Sequence, residues 1–161
     1  MELQVIAWMA LRIMYAWMFL YPLKVLLSDW KTTKSTVALI SPPSLVSFSS
    51  VLMVIVMISG ALSILLGLYA QIGGLLLFVY CLMGAVVHYK LANLIKQHHL
   101  SPTAGVTDVS VLQAVIDMGM VGNITSAQKN FVLAAVALFF MLLGSGPMSL
   151  TTPFWQPWIV Y

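Results

Sequence analysis

Few side chains in this sequence can do chemistry, and the first is Arg12, in the stretch IAWMALRIMYAWMFLYPLKVLL. Its neighbours all suit lipid, whereas a guanidinium keeps its charge at any physiological pH. It lies about 10 Å along a helix that starts near Val5. It can snorkel to the headgroups, or turn inward to hold a carbonyl, a carboxylate or a quinone head group through its planar donors. His88 comes next, beside Tyr89 and Lys90. As a site residue it would donate to a quinone oxygen or relay a proton; as a plain interfacial residue it would bond a carbonyl. His98 and His99 are adjacent, so a metal site there needs ligands from elsewhere, and neither CxxC nor HExxH occurs. Cys81 is the only cysteine, which excludes internal disulfides, redox pairs and thiolate zinc sites. Axial haem ligation needs two facing histidines within a bundle, and the spans offer His88 alone. Asp108 and Asp117 read as solvated carboxylates. The eleven methionines are scattered without a copper-binding spacing. No cofactor is expected on the chain's own residues, with quinone or lipid the candidate small-molecule contacts.

These residues have to be positioned by elements that live in lipid. Of 161 residues, 61% are hydrophobic and 7% charged, against roughly 25% charged in an ordinary soluble domain. Mean hydropathy is +1.02. The net charge of +3 comes from scattered Lys and Arg, with no polar domain to present them to nucleic acid. Four apolar segments approach the roughly 20 residues needed to cross a hydrocarbon core: about 5–27, 46–68, 72–89 and 126–143. Each is expected to be a helix, because a helix satisfies its own backbone groups where water cannot. The fold class is therefore all-α, a single four-transmembrane-helix bundle over 1–161. The opening segment lacks a small-residue cleavage site and is expected to remain as the first span.

Only Tyr69, Ala70 and Gln71 separate spans two and three, which makes a tight antiparallel hairpin. Pro42 and Pro43 suit the first turn of span two, where a missing N–H costs nothing. In the longer connection before span four, Thr107 to Met120 places Val109, Leu112, Val115, Ile116 and Met120 near helical spacing, with Thr107 or Asp108 as a cap. The expectation is a short interfacial amphipathic helix between spans three and four, with an irregular packed loop as the alternative. Lys24, Lys31 and Lys34 follow span one, and Lys90, Lys96 and Lys129 follow span three. The positive-inside rule then puts both long connections in the cytoplasm and both termini outside. Arg12 and His88 fall toward opposite faces.

Ser59, Gly60, Ser63 and Gly67 recur at spacings near three and four, and Gly73, Gly74 and Gly84 follow in the next span. Such residues let helix backbones approach closely in lipid. Trp8, Trp155, Trp158 and Tyr161 fit an aromatic belt at the outer interface.

The order of features resembles the DoxX family of small bacterial four-helix membrane proteins. The resemblance rests on Arg12 and Lys24 in span one, SGALSILLGLYAQIGGLLL, a span ending AVVHYK, and LLGSGPMSL at the close of the last span. It implies a bacterial inner-membrane location with periplasmic termini. It also implies a role near membrane redox complexes: the family includes DoxD, a membrane subunit of a thiosulfate:quinone oxidoreductase. Family members often carry an acid, an arginine and an aspartate where this chain has Val56, Gln71 and Thr151. A chain without those ionic groups lacks part of the equipment for a redox or substrate site. The function expected first is an accessory subunit of a larger membrane redox or energy-converting complex, without its own cofactor and packed against lipid and other subunits. The alternatives are a quinone-interacting subunit of a thiosulfate:quinone oxidoreductase-like enzyme, and a small membrane transporter. Transport predicts a polar stripe across the spans, and these spans have almost none.

Overall fold

The computed structural model describes residues 3–97 and 106–151. Within them the chain is helical throughout: α1 Leu3–Leu20, α2 Leu23–Ser28, α3 Trp30–Val37, a 3-10 turn Pro43–Leu45, α4 Val46–Leu66, α5 Ala70–Gln97 and α6 Val106–Leu143. Four apolar stretches, Leu3–Ser28, Pro43–Leu66, Ala70–Gln97 and Val109–Leu143, are long enough to cross a membrane. The protein is a multi-pass membrane bundle of four spans.

The first span is interrupted where its sequence reads as continuous. Pro22 has no N–H to bond back into α1, so α1 stops at Leu20 and a new turn starts from Pro22, whose carbonyl accepts from Leu26 N at 3.0 Å. Asp29 ends α2 and caps α3, accepting from Thr32 N at 3.1 Å. α4 ends on a Schellman turn. Gly67 takes φ +66, its N–H bonds Ile64 O at 3.2 Å, and Leu68 N bonds Ser63 O at 2.9 Å.

The second half departs from the expected boundaries. The segment 107–120 is helical, but it is continuous with the fourth span instead of forming a separate helix on the membrane surface. No proline interrupts Val106–Leu143, so nothing forces a break. At 38 residues, α6 is about 57 Å long, and α5 about 42 Å, against a hydrocarbon core of about 30 Å. Both are therefore longer than the hydrocarbon core is thick. The short helix between spans is α3, between spans one and two; its Thr33 and Val37 point inward and its Lys31 points outward.

The core is one cluster. α1 contributes Trp8, Tyr15, Ala16 and Phe19, α4 contributes Met57, Ala61 and Ile64, α5 contributes Leu77 and Cys81, and α6 contributes Ala134, Ala137 and Phe140. Glycines set the helix spacing. A Cβ on Gly74 would come within 2.5 Å of Met141 N and 2.7 Å of Ala137 O, so α5 and α6 touch backbone to backbone there. A Cβ on Gly60 would lie 2.7 Å from the Leu77 side chain, which packs α4 on α5.

Candidate functional site at the Arg12 end of the bundle

Arg12 shares the inward stripe of α1 with Trp8, Tyr15 and Phe19, at spacings of three and four, and is 3% exposed. Its side chain turns into the bundle and does not snorkel. Nε donates to Ile64 O at 3.0 Å, which the Gly67 N–H of the α4 cap also reaches, and Nη2 to Leu65 O at 2.7 Å, both carbonyls of the last turn of α4. Nη1 reaches Pro147 O at 3.5 Å and Met148 O at 3.4 Å, in the loop after α6. One planar cation thus joins α1, the end of α4 and the chain beyond α6. It also places positive charge at a helix C-terminus, where the dipole favours it.

The surrounding turns close on this guanidinium. A Cβ on Gly67 would meet Ser149 Cα at 2.8 Å, and Arg12 Nη2 and Ser145 Oγ at 2.9 Å each. Gly146, at φ +71, lies so close under the Trp8 indole that a Cβ would enter the ring. Tyr69 N donates to Thr151 Oγ1 at 2.7 Å, and Thr151 N to Gly67 O at 3.1 Å. The Ser145 and Ser149 hydroxyls are 2.6 Å apart, and Ser149 Oγ also donates to Gly146 O. Ser63 Oγ donates to Leu68 O at 2.6 Å and to Tyr69 O at 3.1 Å. Tyr69 and Met148 hold left-handed φ values of +50 and +62 without being glycine. Such conformations persist where neighbouring bonds over-determine them, as they do at both positions here.

His88 sits far from this knot. It lies eighteen residues along α5 from Ala70, about 27 Å of helix rise. The half-buried ring places Nδ1 2.9 Å from Asn123 Oδ1 of α6, and Asn123 Nδ2 donates to Gly119 O at 2.9 Å. Tyr89 is largely exposed, with its ring 6.4 Å from Phe131. Lys90 Nζ donates to Leu39 O at 2.7 Å, fastening the connection after α3 to α5. Arg12 and His88 therefore belong to opposite ends of the bundle.

Among the packing residues, Gly60, Ser63 and Gly67 lie between helices or in the knot, whereas Ser59 is exposed and bonds its own helix at Val56 O. Gly84 faces Asn130, whose Nδ2 would be 3.0 Å from an added Cβ. Trp8 is buried, stacked 5.0 Å from Phe139 and 6.2 Å from Phe140, so it packs the core instead of lining an outer interface. Trp155, Trp158, Tyr161, His98 and His99 lie outside the described residues. Trp17 and Tyr21 form an exposed aromatic pair among the described residues, 5.6 Å apart near the lysine end. Among the described residues, no three His, Cys, Asp or Glu side chains are grouped to hold a metal ion.

A carbonyl was among the partners expected for an inward-turned Arg12, but which carbonyls could not be read from the sequence. The 3–4 spacing that puts Arg12 on one face with Trp8, Tyr15 and Phe19 signals the inward turn, but backbone carbonyls carry no sequence signature. Gln71, at one of the positions where the DoxX resemblance departs, is buried near the start of α5, and Thr151, at another, bonds within the knot. Val56 lies half-buried in α4. No protein-family model matches this chain, and neither curated proteins nor solved structures give a match.

Proposed function

We propose that the protein is a non-catalytic integral subunit of a larger membrane redox or energy-converting complex, DoxX-like in kind, contributing packing and lipid contact without a cofactor of its own. We place it in a bacterial inner membrane with both termini outside. The observation supporting this reading is the use of Arg12. The residue best suited by type to grip a quinone or a carboxylate spends its donors on four backbone carbonyls, and so holds the bundle together. A guanidinium committed to carbonyls of α4 and the loop after α6 is a structural fastener. The quinone reading would need Arg12 to give up those bonds, leaving Leu65 O at the end of α4 without its donor.

The test is solubilisation in a mild detergent followed by mass analysis of the intact assembly. Isolation in fixed stoichiometry with haem- or metal-bearing subunits, and loss of that assembly when the gene is deleted, is the expected result. A lone protein that reduces quinone with thiosulfate overturns the proposal.

A further inference from the structure

At the end of the bundle opposite Arg12, α3 is held in one rotation. Thr33 Oγ1 donates to Leu26 O at 2.8 Å, Thr33 and Val37 are buried, and the helix begins on the Asp29 cap. The hydroxyls of Ser35 and Thr36 both bond back to Thr32 O, at 2.8 and 2.9 Å, and Lys31 and Lys34 are the charged groups of α3. Lys31 is exposed and Lys34 half-buried, three residues apart on neighbouring parts of one helical surface. Lys24 precedes them on α2. The single acid of this stretch, Asp29, has its carboxylate on a backbone N–H. Lys90 ties the chain after α3 to α5 through Leu39 O, so α3 is fixed where span two begins. Trp17 and Tyr21, with exposed rings at the same end of span one, are the residue types that settle at headgroup level.

We propose that α3 is a docking surface for anionic phospholipid headgroups, with Lys31 and Lys34 bonding the phosphate and Lys24 adding to the local field. The argument is charge complementarity. Three lysines against one engaged carboxylate, following a span whose exposed Trp17 and Tyr21 favour headgroup level, match a negatively charged leaflet and not a zwitterionic one. The short helix is oriented by its bonds to α2 and its packing on α4, so the lysines are presented before lipid arrives. This inference does not depend on the assembly role proposed above.

The test uses the full chain in nanodiscs of equal parts phosphatidylglycerol and phosphatidylcholine, released into mild detergent, with retained lipid identified by native mass spectrometry. Phosphatidylglycerol is expected to be enriched over phosphatidylcholine, with enrichment falling roughly fivefold for each lysine removed in K31Q and K31Q/K34Q. It is expected to vanish in 0.5 M salt, where charges are screened within about 4 Å. K31R/K34R keeps the charge and is expected to keep the enrichment. Equal retention of the two lipids by the wild type, or enrichment unchanged in K31Q/K34Q, overturns the proposal.

Discussion

Arg12 carries one of the few charges within the spans, and its consequence is mechanical. Replacing it with Leu removes the donor to Ile64 O, Leu65 O, Pro147 O and Met148 O at once. Ile64 O keeps the Gly67 N–H, so Leu65 O is the acceptor left unpaired in the last turn of α4, and one such group costs about 1–3 kcal/mol. R12L is therefore expected to lose about 1–3 kcal/mol of stability, read from unfolding in a detergent–denaturant titration. R12K should recover only part of this, since an ammonium cannot reproduce the planar fork that spans two chain segments. Unchanged unfolding of R12L would reduce the residue to an accessory. Asp29 gives a pH dependence at the other end. Hydrogen bonding from the Thr32 side chain, and then from the Thr32 N–H, holds its carboxyl below the usual range. A folded pKa lower than the unfolded one adds stability at neutral pH that is lost as pH falls below about 4 and through the folded value. D29A is expected to flatten that acid-side slope without altering stability trends above pH 6. An identical acid profile in the two proteins would remove Asp29 from the account of α3.

Among the elements, α5 and α6 define the bundle, and their glycines divide into those that permit contact and those that do not. G74A puts a methyl against Met141 N and Ala137 O, backbone atoms that cannot yield cheaply, so a loss of about 1–3 kcal/mol is expected. At Gly122 none of the described residues lies within 4 Å of an added Cβ. G122A should be neutral or stabilising by about 0.4–1 kcal/mol, since alanine restricts the unfolded chain without a clash. Thermal unfolding of both variants in one detergent separates the two cases; equal losses would mean that Gly122 meets something other than the described residues. The interruption of span one belongs to the same scale. Pro22 was plain in the sequence, but an apolar run from Val5 to Leu27 hid it, because hydropathy is blind to a missing N–H. The unbroken α6 was hidden for the converse reason: a drop in hydropathy over 107–120 looks like a separate element, while backbone continuity depends only on the absence of a breaker.

For the whole molecule, the prediction concerns sidedness. Cys81 is fully buried in the shared core, so the native protein should resist a membrane-impermeant maleimide until it is unfolded. On that background, Tyr69→Cys in the α4–α5 turn and Lys31→Cys in α3 should label from opposite sides of sealed vesicles; labelling of both from one side would refute the four-span path. The sequence by itself determined that the chain lives in lipid, that it crosses as helices, and that spans two and three form a hairpin. Those conclusions follow from composition, segment length and the cost of unsatisfied backbone in hydrocarbon, all local properties of the chain. It also showed which residue was out of place. Only the tertiary structure decided what Arg12 holds, because its partners are carbonyls fifty-two to one hundred and thirty-six residues away and every residue offers a carbonyl. The structure likewise turned Trp8 inward, since an indole suits a headgroup or a core equally well, and the choice was made by Phe139, Phe140 and the bare backbone of Gly146 packing against it.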